Sequence, residues 1–196
     1  MTDRVLDLPL DRETLLMVAD PARLHKHVMT LLPDLGGMST AIRADTGTQF
    51  RVDLPTDPLG ERGHNRLRIR SNALPDGIGQ PAASTPLETQ ARVVVRLAAE
   101  RRHTDERGIR VRPVTDAEAD TWVRQLLGRH GFDVVEAALS PSRRFGGRQG
   151  VRFTIRDLAA TITITDPELA SSAHDQGIGR GRAYGLGMLI PIPTTM

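Results

Sequence analysis

One order of elements, a strand followed by a helix and two more strands, occurs twice along this chain and constrains its fold more than any other feature. The first half predicts a strand at Val5–Leu10, a helix from Asp20 to about Leu32, and strands at 50–54 and 67–69. Asp20 and Pro21 provide an N-cap and a first-turn proline for the helix. The next strand, Val93–Leu97, follows residues 73–90, which are rich in Pro, Gly, Ala and Ser and show no helical pattern.

The second half repeats the pattern and completes it. It predicts a strand at Ile109–Val114, a helix from Thr115 to about Gly128, a strand at Phe132–Leu139, a hairpin of Val151–Ile155 and Thr161–Thr165, a short helix to about His174, and a last strand at Met188–Ile192. Thr115 and Glu118 form a capping box, and Asp166-Pro167 repeats the N-cap and proline signal. The sequence therefore predicts an α+β fold of two tandem ferredoxin-like (βαββαβ) domains with antiparallel sheets, at residues 1–100 and 101–196.

Charge is distributed unevenly along the chain. Of 26 Lys and Arg residues only one is a lysine, Lys26, and residues 101–156 hold 12 basic and 7 acidic side chains. Such a basic stretch suits a polyanion-binding face, although a solvated Arg-rich surface or a GC-rich genome would give a similar composition. Aromatic residues make up 3% of the chain, which disfavours recognition by stacking single-stranded bases.

Several classes of protein are excluded or disfavoured by composition. The absence of cysteine rules out disulfides and metal–thiolate sites. No apolar run approaches the roughly 20 residues of a membrane span, and the acidic N-terminus does not look like a signal peptide. A cytoplasmic protein is expected.

The glycine run GIGRGRAYGLG is the most unusual local feature. No Lys follows its glycines as a phosphate-binding P-loop requires, and the spacing of a dinucleotide fingerprint fails because position 182 is Arg. The run is then either a loop whose backbone approaches another backbone closely, with Arg180 and Arg182 able to reach phosphates, or a tight structural connection. The sequence leaves both interpretations open.

His25 is the leading candidate for chemistry. It lies at the border of the apolar face of the first helix, where a histidine is more often packed or surface-exposed than catalytic. Its neighbours Arg23, Lys26 and His27 would attract phosphate and lower the pKa of the imidazole. Carboxylates at 116, 118 and 120 are explained by the helix start, so no metal site is predicted.

These residues resemble a known family, the CRISPR precursor-RNA endoribonucleases of type I-E systems, the CasE subfamily of repeat-associated (RAMP) proteins. The likeness runs along nearly the whole chain and is carried by DPARLHKHVMTLLPD, LRIRS, VVVRL, TWVRQLLGRHGF, FTIRDLAATITITDP and GIGRGRAYGLGML. The helix-borne histidine together with the glycine loop is the most specific pair.

The resemblance implies metal-independent cleavage of a CRISPR repeat at the 3′ side of a stem-loop, without a cofactor. The 2′-hydroxyl would attack the adjacent phosphate and leave a 2′,3′-cyclic phosphate, and the processed guide RNA would be kept within the Cascade complex. His25 matches the catalytic histidine. The expected RNA-binding residues are Arg143, Arg144, Arg148, Arg180 and Arg182, with the glycines Gly177, Gly179, Gly181, Gly185 and Gly187.

The sequence also departs from the family pattern. A tyrosine often present three residues before the histidine is Ala22 here. Arg23 or Lys26 would then stabilise the transition-state charge. The departure supports an alternative, a weakly catalytic or non-catalytic subunit that holds the RNA hairpin in the Cascade complex.

Overall fold

The computed structural model describes residues 3–33, 42–57, 65–82, 89–106, 108–147 and 150–192. Two antiparallel sheets and their helices confirm the predicted α+β class. The elements of the first half are β1 (Arg4–Pro9), α1 (Arg12–Val18), α2 (Pro21–Thr30), α3 (Ile42–Asp45), β2 (Gln49–Asp53), β3 (Arg66–Ser71) and β4 (Gln80–Pro81). Those of the second half are β5 (Gln90–Ala98), β6 (Glu100–Asp105), β7 (Gly108–Pro113), α4 (Asp116–Gly128), β8 (Phe132–Leu139), β9 (Arg143–Phe145), β10 (Phe153–Ile164), α5 (Pro167–Gln176) and β11 (Ile190–Ile192).

The first sheet has the strand order β2-β3-β1-β4, which is the order of a ferredoxin-like unit. The helix α2 begins where the sequence predicts, because the Asp20 carboxylate accepts hydrogen bonds from the amides of Ala22 and Arg23, each at 3.1 Å. Residues 72–79 form turns, in agreement with the missing helix signal before β4. The short helix α1 was not predicted; its signal is Asp11, whose carboxylate accepts from the Thr14 amide at 2.7 Å.

The second sheet repeats the same order as β11-β5-β10-β8, and β9 pairs with β10. The first strand of this sheet is β5 (Gln90–Ala98). The domain boundary predicted from the sequence, at residue 100, would instead place β5 in the first domain. Strand pairing instead separates the two units between residues 82 and 89. The reason is burial: Val93, Val95 and Leu97 are fully enclosed in the core, whereas every residue of β7 is exposed. The predicted strand at Ile109–Val114 is β7, and it forms a separate hairpin with β6.

The prediction of a hairpin between residues 151 and 165 is wrong, because β10 is one continuous strand of 12 residues. Two charged residues in the middle of this strand, Arg156 and Asp157, suggest a turn when read from the sequence. In the structure they are only 3% and 1% exposed. Asp157 accepts a hydrogen bond from Arg96 Nε at 2.8 Å, and Arg156 pairs with Asp116. These partners, distant in sequence, allow the charges to remain inside a strand.

Each unit has its own apolar core, and buried polar contacts join the two. The α2 residues Leu24 and Val28 pack on the first sheet. Between the units, the Gln49 amide donates to the His174 carbonyl oxygen at 2.8 Å, and Arg96 Nη1 donates to the Val52 carbonyl oxygen at 2.9 Å. These contacts fix α2 relative to the segment that follows α5.

Candidate active site

His25 lies on α2 where the helix meets the glycine run, and its ring is half-buried. Its ring centroid is 6.5 Å from that of Phe50, with the rings nearly parallel, and 6.0 Å from that of Tyr184, which approaches edge-on. Within the described part of the chain, Nδ1 of the imidazole is buried and has no hydrogen-bond partner. Of the two ring nitrogens, Nδ1 is thus closed to a substrate.

The surroundings of His25 keep its imidazole neutral. Burial is the main cause that lowers its pKa below the ordinary 6.5, and the charge of Arg43 lowers it further. A neutral imidazole at pH 7 can accept a proton at once. The site thus contains a base suited to neutral pH.

The predicted charge stabilisers Arg23 and Lys26 are exposed side chains. Arg23 lies 4.0 Å from Glu13, in an ion pair at the surface. Side chains one or two positions apart on a helix do not face each other, so neither is directed to the same place as His25. The cation that acts on His25 is instead Arg43, whose Nη1 donates to the Thr48 carbonyl oxygen at 3.2 Å.

Arg43, the cation that acts on this histidine, forms a cluster of basic side chains with Arg182. Burial lowers the pKa of Arg43, and the charge of Arg182 lowers it further. The pKa of His130 is lowered by burial, then by the charge of Arg129 and then by that of Arg182. Each of these electrostatic effects comes from another cation, so the groups repel one another in the free protein. Such a cluster attracts an anion, and a phosphodiester is the anion whose geometry a pair of guanidinium groups matches. Arg43 was missed by sequence reasoning, because only the tertiary structure brings it near His25.

The glycine run connects α5 to β11 and contains a 3₁₀ turn at Arg182–Tyr184. Positive φ angles occur at all five predicted glycines, Gly177, Gly179, Gly181, Gly185 and Gly187. At Gly187 a Cβ atom would lie 2.1 Å from the Ile178 carbonyl oxygen, and the Gly187 amide donates to the Arg96 carbonyl oxygen at 2.7 Å. The positive φ angles thus favour glycine at all five positions, and close backbone approach is a second reason at Gly187. Their role in RNA binding stays a prediction.

The predicted basic residues occupy different environments. Arg143 is held by Asp157 at 2.6 Å and Asp57 at 3.0 Å, an arrangement that ties the two units together. Its neighbour Arg144 is exposed on the same strand. Arg180 pairs with Glu100 at 2.7 Å. Arg148 lies outside the described residues.

A cleft of about 520 Å³ gathers several of these groups, and its walls include Arg144, Arg152, Glu100 and Phe153. The Phe153 ring lies 5.6 Å from that of Tyr184, which in turn contacts His25. Contiguous aromatic contacts thus lead from this basic cleft to the histidine.

The described residues contain no group of three or more His, Asp or Glu side chains placed to hold a metal ion. The helices within the same ranges are also too short or too polar to cross a bilayer.

The sequence matches the family model described as CRISPR associated protein over residues 5–193. A search of curated proteins finds no match. Among solved structures, Thermus thermophilus Cse3 bound to an RNA representing a pre-cleavage complex superimposes with a TM-score of 0.74 at 18% identity, covering 98% of this chain and 100% of that one.

Two further structures share the fold. Cas6e from Escherichia coli str. K-12 gives a TM-score of 0.64 at 16% identity, with 99% of this chain and 100% of that chain covered. A chain of a CRISPR RNA-guided surveillance complex, described as pre-nicking, gives 0.65 at 19% identity, with 97% and 99% covered. Since the family model spans nearly the whole sequence, this chain belongs to the family of CRISPR-associated proteins.

Proposed function

We propose that this protein is a site-specific endoribonuclease that cleaves CRISPR repeat RNA at the 3′ base of a stem-loop without a metal ion. The observation that carries the proposal is His25, a half-buried imidazole whose pKa is lowered by burial and by the charge of Arg43 and whose ring contacts Tyr184, which packs against Phe153 at the wall of the basic cleft. Family membership and the shared fold with RNA-bound Cse3 support CRISPR RNA as the substrate.

The reaction follows from the groups present. His25 Nε2 removes the proton from the 2′-hydroxyl of the nucleotide before the cut, and the 2′-oxygen attacks the adjacent phosphorus. Arg43 and Arg182 stabilise the additional negative charge on the phosphorane. The bond from phosphorus to the 5′-oxygen then breaks, which leaves a 2′,3′-cyclic phosphate on one product and a 5′-hydroxyl on the other.

The test uses a stem-loop repeat RNA in the presence of EDTA. Wild-type protein should cut at one position, and an RNA with a 2′-deoxy nucleotide before that position should bind without being cut. His25→Ala should bind with unchanged affinity and lose cleavage by about 10² to 10⁴-fold. His27→Ala is the matched control, two residues away on the same helix, and should cut normally. Full activity of the His25 variant would eliminate this mechanism.

A second candidate function is retention of the RNA hairpin with little turnover, which Ala22 favours by removing a hydroxyl from α2. The likeness to a chain of the CRISPR RNA-guided surveillance complex supports a place for this protein in the Cascade complex in either case. A cleavage assay with labelled RNA in excess over the protein distinguishes the two functions. Several cleavage events per protein molecule indicate an enzyme that releases its product, and one or none indicates a subunit that keeps its guide RNA.

A further inference from the structure

We propose that the hydroxyl of Tyr184 is the second proton-transferring group of this site and donates a proton to the departing 5′-oxygen. The inference rests on the proposed function, because it assigns the half of the reaction that His25 cannot perform while it acts as base. One imidazole that has just accepted a proton at Nε2 does not also supply a separate proton across the phosphate in the same step, so a second donor is useful there.

The helix itself offers no such donor. On α2 the side chains that share the surface around His25 are three and four positions away. These are Pro21, Ala22, Val28 and Met29, and none carries a hydroxyl or a titratable proton. A partner for His25 must therefore come from another element.

Two aromatic rings contact the imidazole among the described residues, and only one bears a proton that can be transferred. Phe50 stacks against the ring and provides apolar surface, whereas Tyr184 approaches edge-on with a phenolic O–H. The guanidinium groups of Arg43 and Arg182 remain protonated in proteins and serve as charge stabilisers rather than as acids. Tyr184, the single tyrosine of the chain, is thus the proton donor that the geometry provides.

The position of Tyr184 is fixed on both sides. Its amide donates to the Gly181 carbonyl oxygen at 2.8 Å, which closes the 3₁₀ turn. Its ring packs at 5.6 Å from Phe153, at the wall of the basic cleft. At Gly185, the next residue, a Cβ atom would lie 2.9 Å from the Phe50 ring, so the turn is in close contact with the other aromatic partner of His25. A phenol held in this way is pre-organised for proton transfer.

The proposed step balances. The bond between the 2′-oxygen and phosphorus forms as the bond between phosphorus and the 5′-oxygen breaks. The 2′-hydroxyl proton goes to His25 Nε2, and the Tyr184 hydroxyl proton goes to the 5′-oxygen. Afterwards the imidazolium releases its proton to water and the tyrosinate takes one from water, which restores both groups with no net consumption.

The experiment removes one oxygen atom with Tyr184→Phe and measures cleavage under single-turnover conditions with saturating protein. We expect a loss of about 10²-fold in rate, with RNA affinity and melting temperature unchanged. A second substrate carries sulfur in place of the bridging 5′-oxygen at the cut. A thiolate departs without a proton, so this substrate should restore cleavage by Tyr184→Phe nearly to the wild-type rate.

His25→Ala provides the comparison, because loss of the base is not corrected by a better leaving group and this variant should stay inactive on the sulfur substrate. Cleavage of the normal RNA by Tyr184→Phe at the wild-type rate would overturn the proposal. So would a defect that persists on the sulfur substrate, since it would show that the ring position alone was altered. Failure of the proposed function is distinguishable, because it would appear in the wild-type protein or as full activity of His25→Ala.

Discussion

Arg143 is predicted from the sequence to bind RNA, but its contacts predict a structural role that can be measured. Its guanidinium donates to Asp157 at 2.6 Å and to Asp57 at 3.0 Å, and those two carboxylates are 1% and 5% exposed. A hydrogen bond to a charged group contributes about 1.5–3 kcal/mol. Arg143 itself is 32% exposed, and Arg96 also pairs with both carboxylates, with Asp57 at 2.7 Å and with Asp157 at 2.8 Å.

Arg143→Ala should therefore lower the free energy of unfolding by about 2–3 kcal/mol, less than the 3–5 kcal/mol typical of breaking a fully buried pair. For a chain of this length each kcal/mol corresponds to about 2–4 °C, so the melting temperature should fall by about 4–12 °C. Arg144→Ala, one residue away and exposed, is the matched control and should stay within about 0.5 kcal/mol of wild type.

Thermal melting followed by circular dichroism measures the loss of stability. RNA binding over a range of salt concentrations measures whether either arginine contacts the RNA backbone. Arg144→Ala should reduce the log–log salt slope by about one if it neutralises a phosphate, whereas Arg143→Ala should leave the slope unchanged at temperatures where it is folded. The opposite pattern, a normal melting temperature and a lower slope for Arg143→Ala, would refute the structural assignment.

Three further predictions concern the active site and its support. Arg43→Gln removes a charge that lowers the pKa of His25; the cleavage rate, which falls at low pH as the base becomes protonated, should then begin to fall at a higher pH, and an unchanged pH–rate profile would contradict this coupling. Gly187→Ala places a methyl group against the Ile178 carbonyl at a φ of +81°, so urea unfolding should show a loss of about 2–5 kcal/mol, and a normal midpoint would contradict the contact. Burial lowers the pKa of His174 in the folded protein, so the unfolded chain binds a proton at this side chain first as the pH falls below 6.5, and the free energy of unfolding should decrease there. Urea unfolding at pH 7.5 and 5.5 should show a smaller decrease for His174→Gln than for the wild type. An equally steep decrease in the variant would contradict this assignment.

Local signals in the sequence predicted the helices that begin with their own caps. Asp20-Pro21 and Asp166-Pro167 satisfy the first amides of α2 and α5 without help from the rest of the chain, so the start of each helix was predicted correctly. Strand β10 was misread as a hairpin because its middle charges become acceptable only when Arg96 and Asp116 are in place. Pattern reasoning fails where a residue depends on partners far away in sequence.

The sequence alone determined that the chain repeats a ferredoxin-like pattern and that His25 is a candidate site residue, because apolar periodicity, capping residues and a helix-borne histidine are all local properties. It did not determine that β5, rather than β7, is the first strand of the second sheet. The sequence did not determine which side chains surround that histidine. Arg43, 18 positions later, reaches it through folding of the first unit, and Tyr184, in the glycine run, reaches it only through packing of the two units. The ion pairs of Arg143 with Asp157 and Asp57 could not be read from the sequence for the same reason: proximity and burial decide what a charge does, and both exist only once the chain is folded.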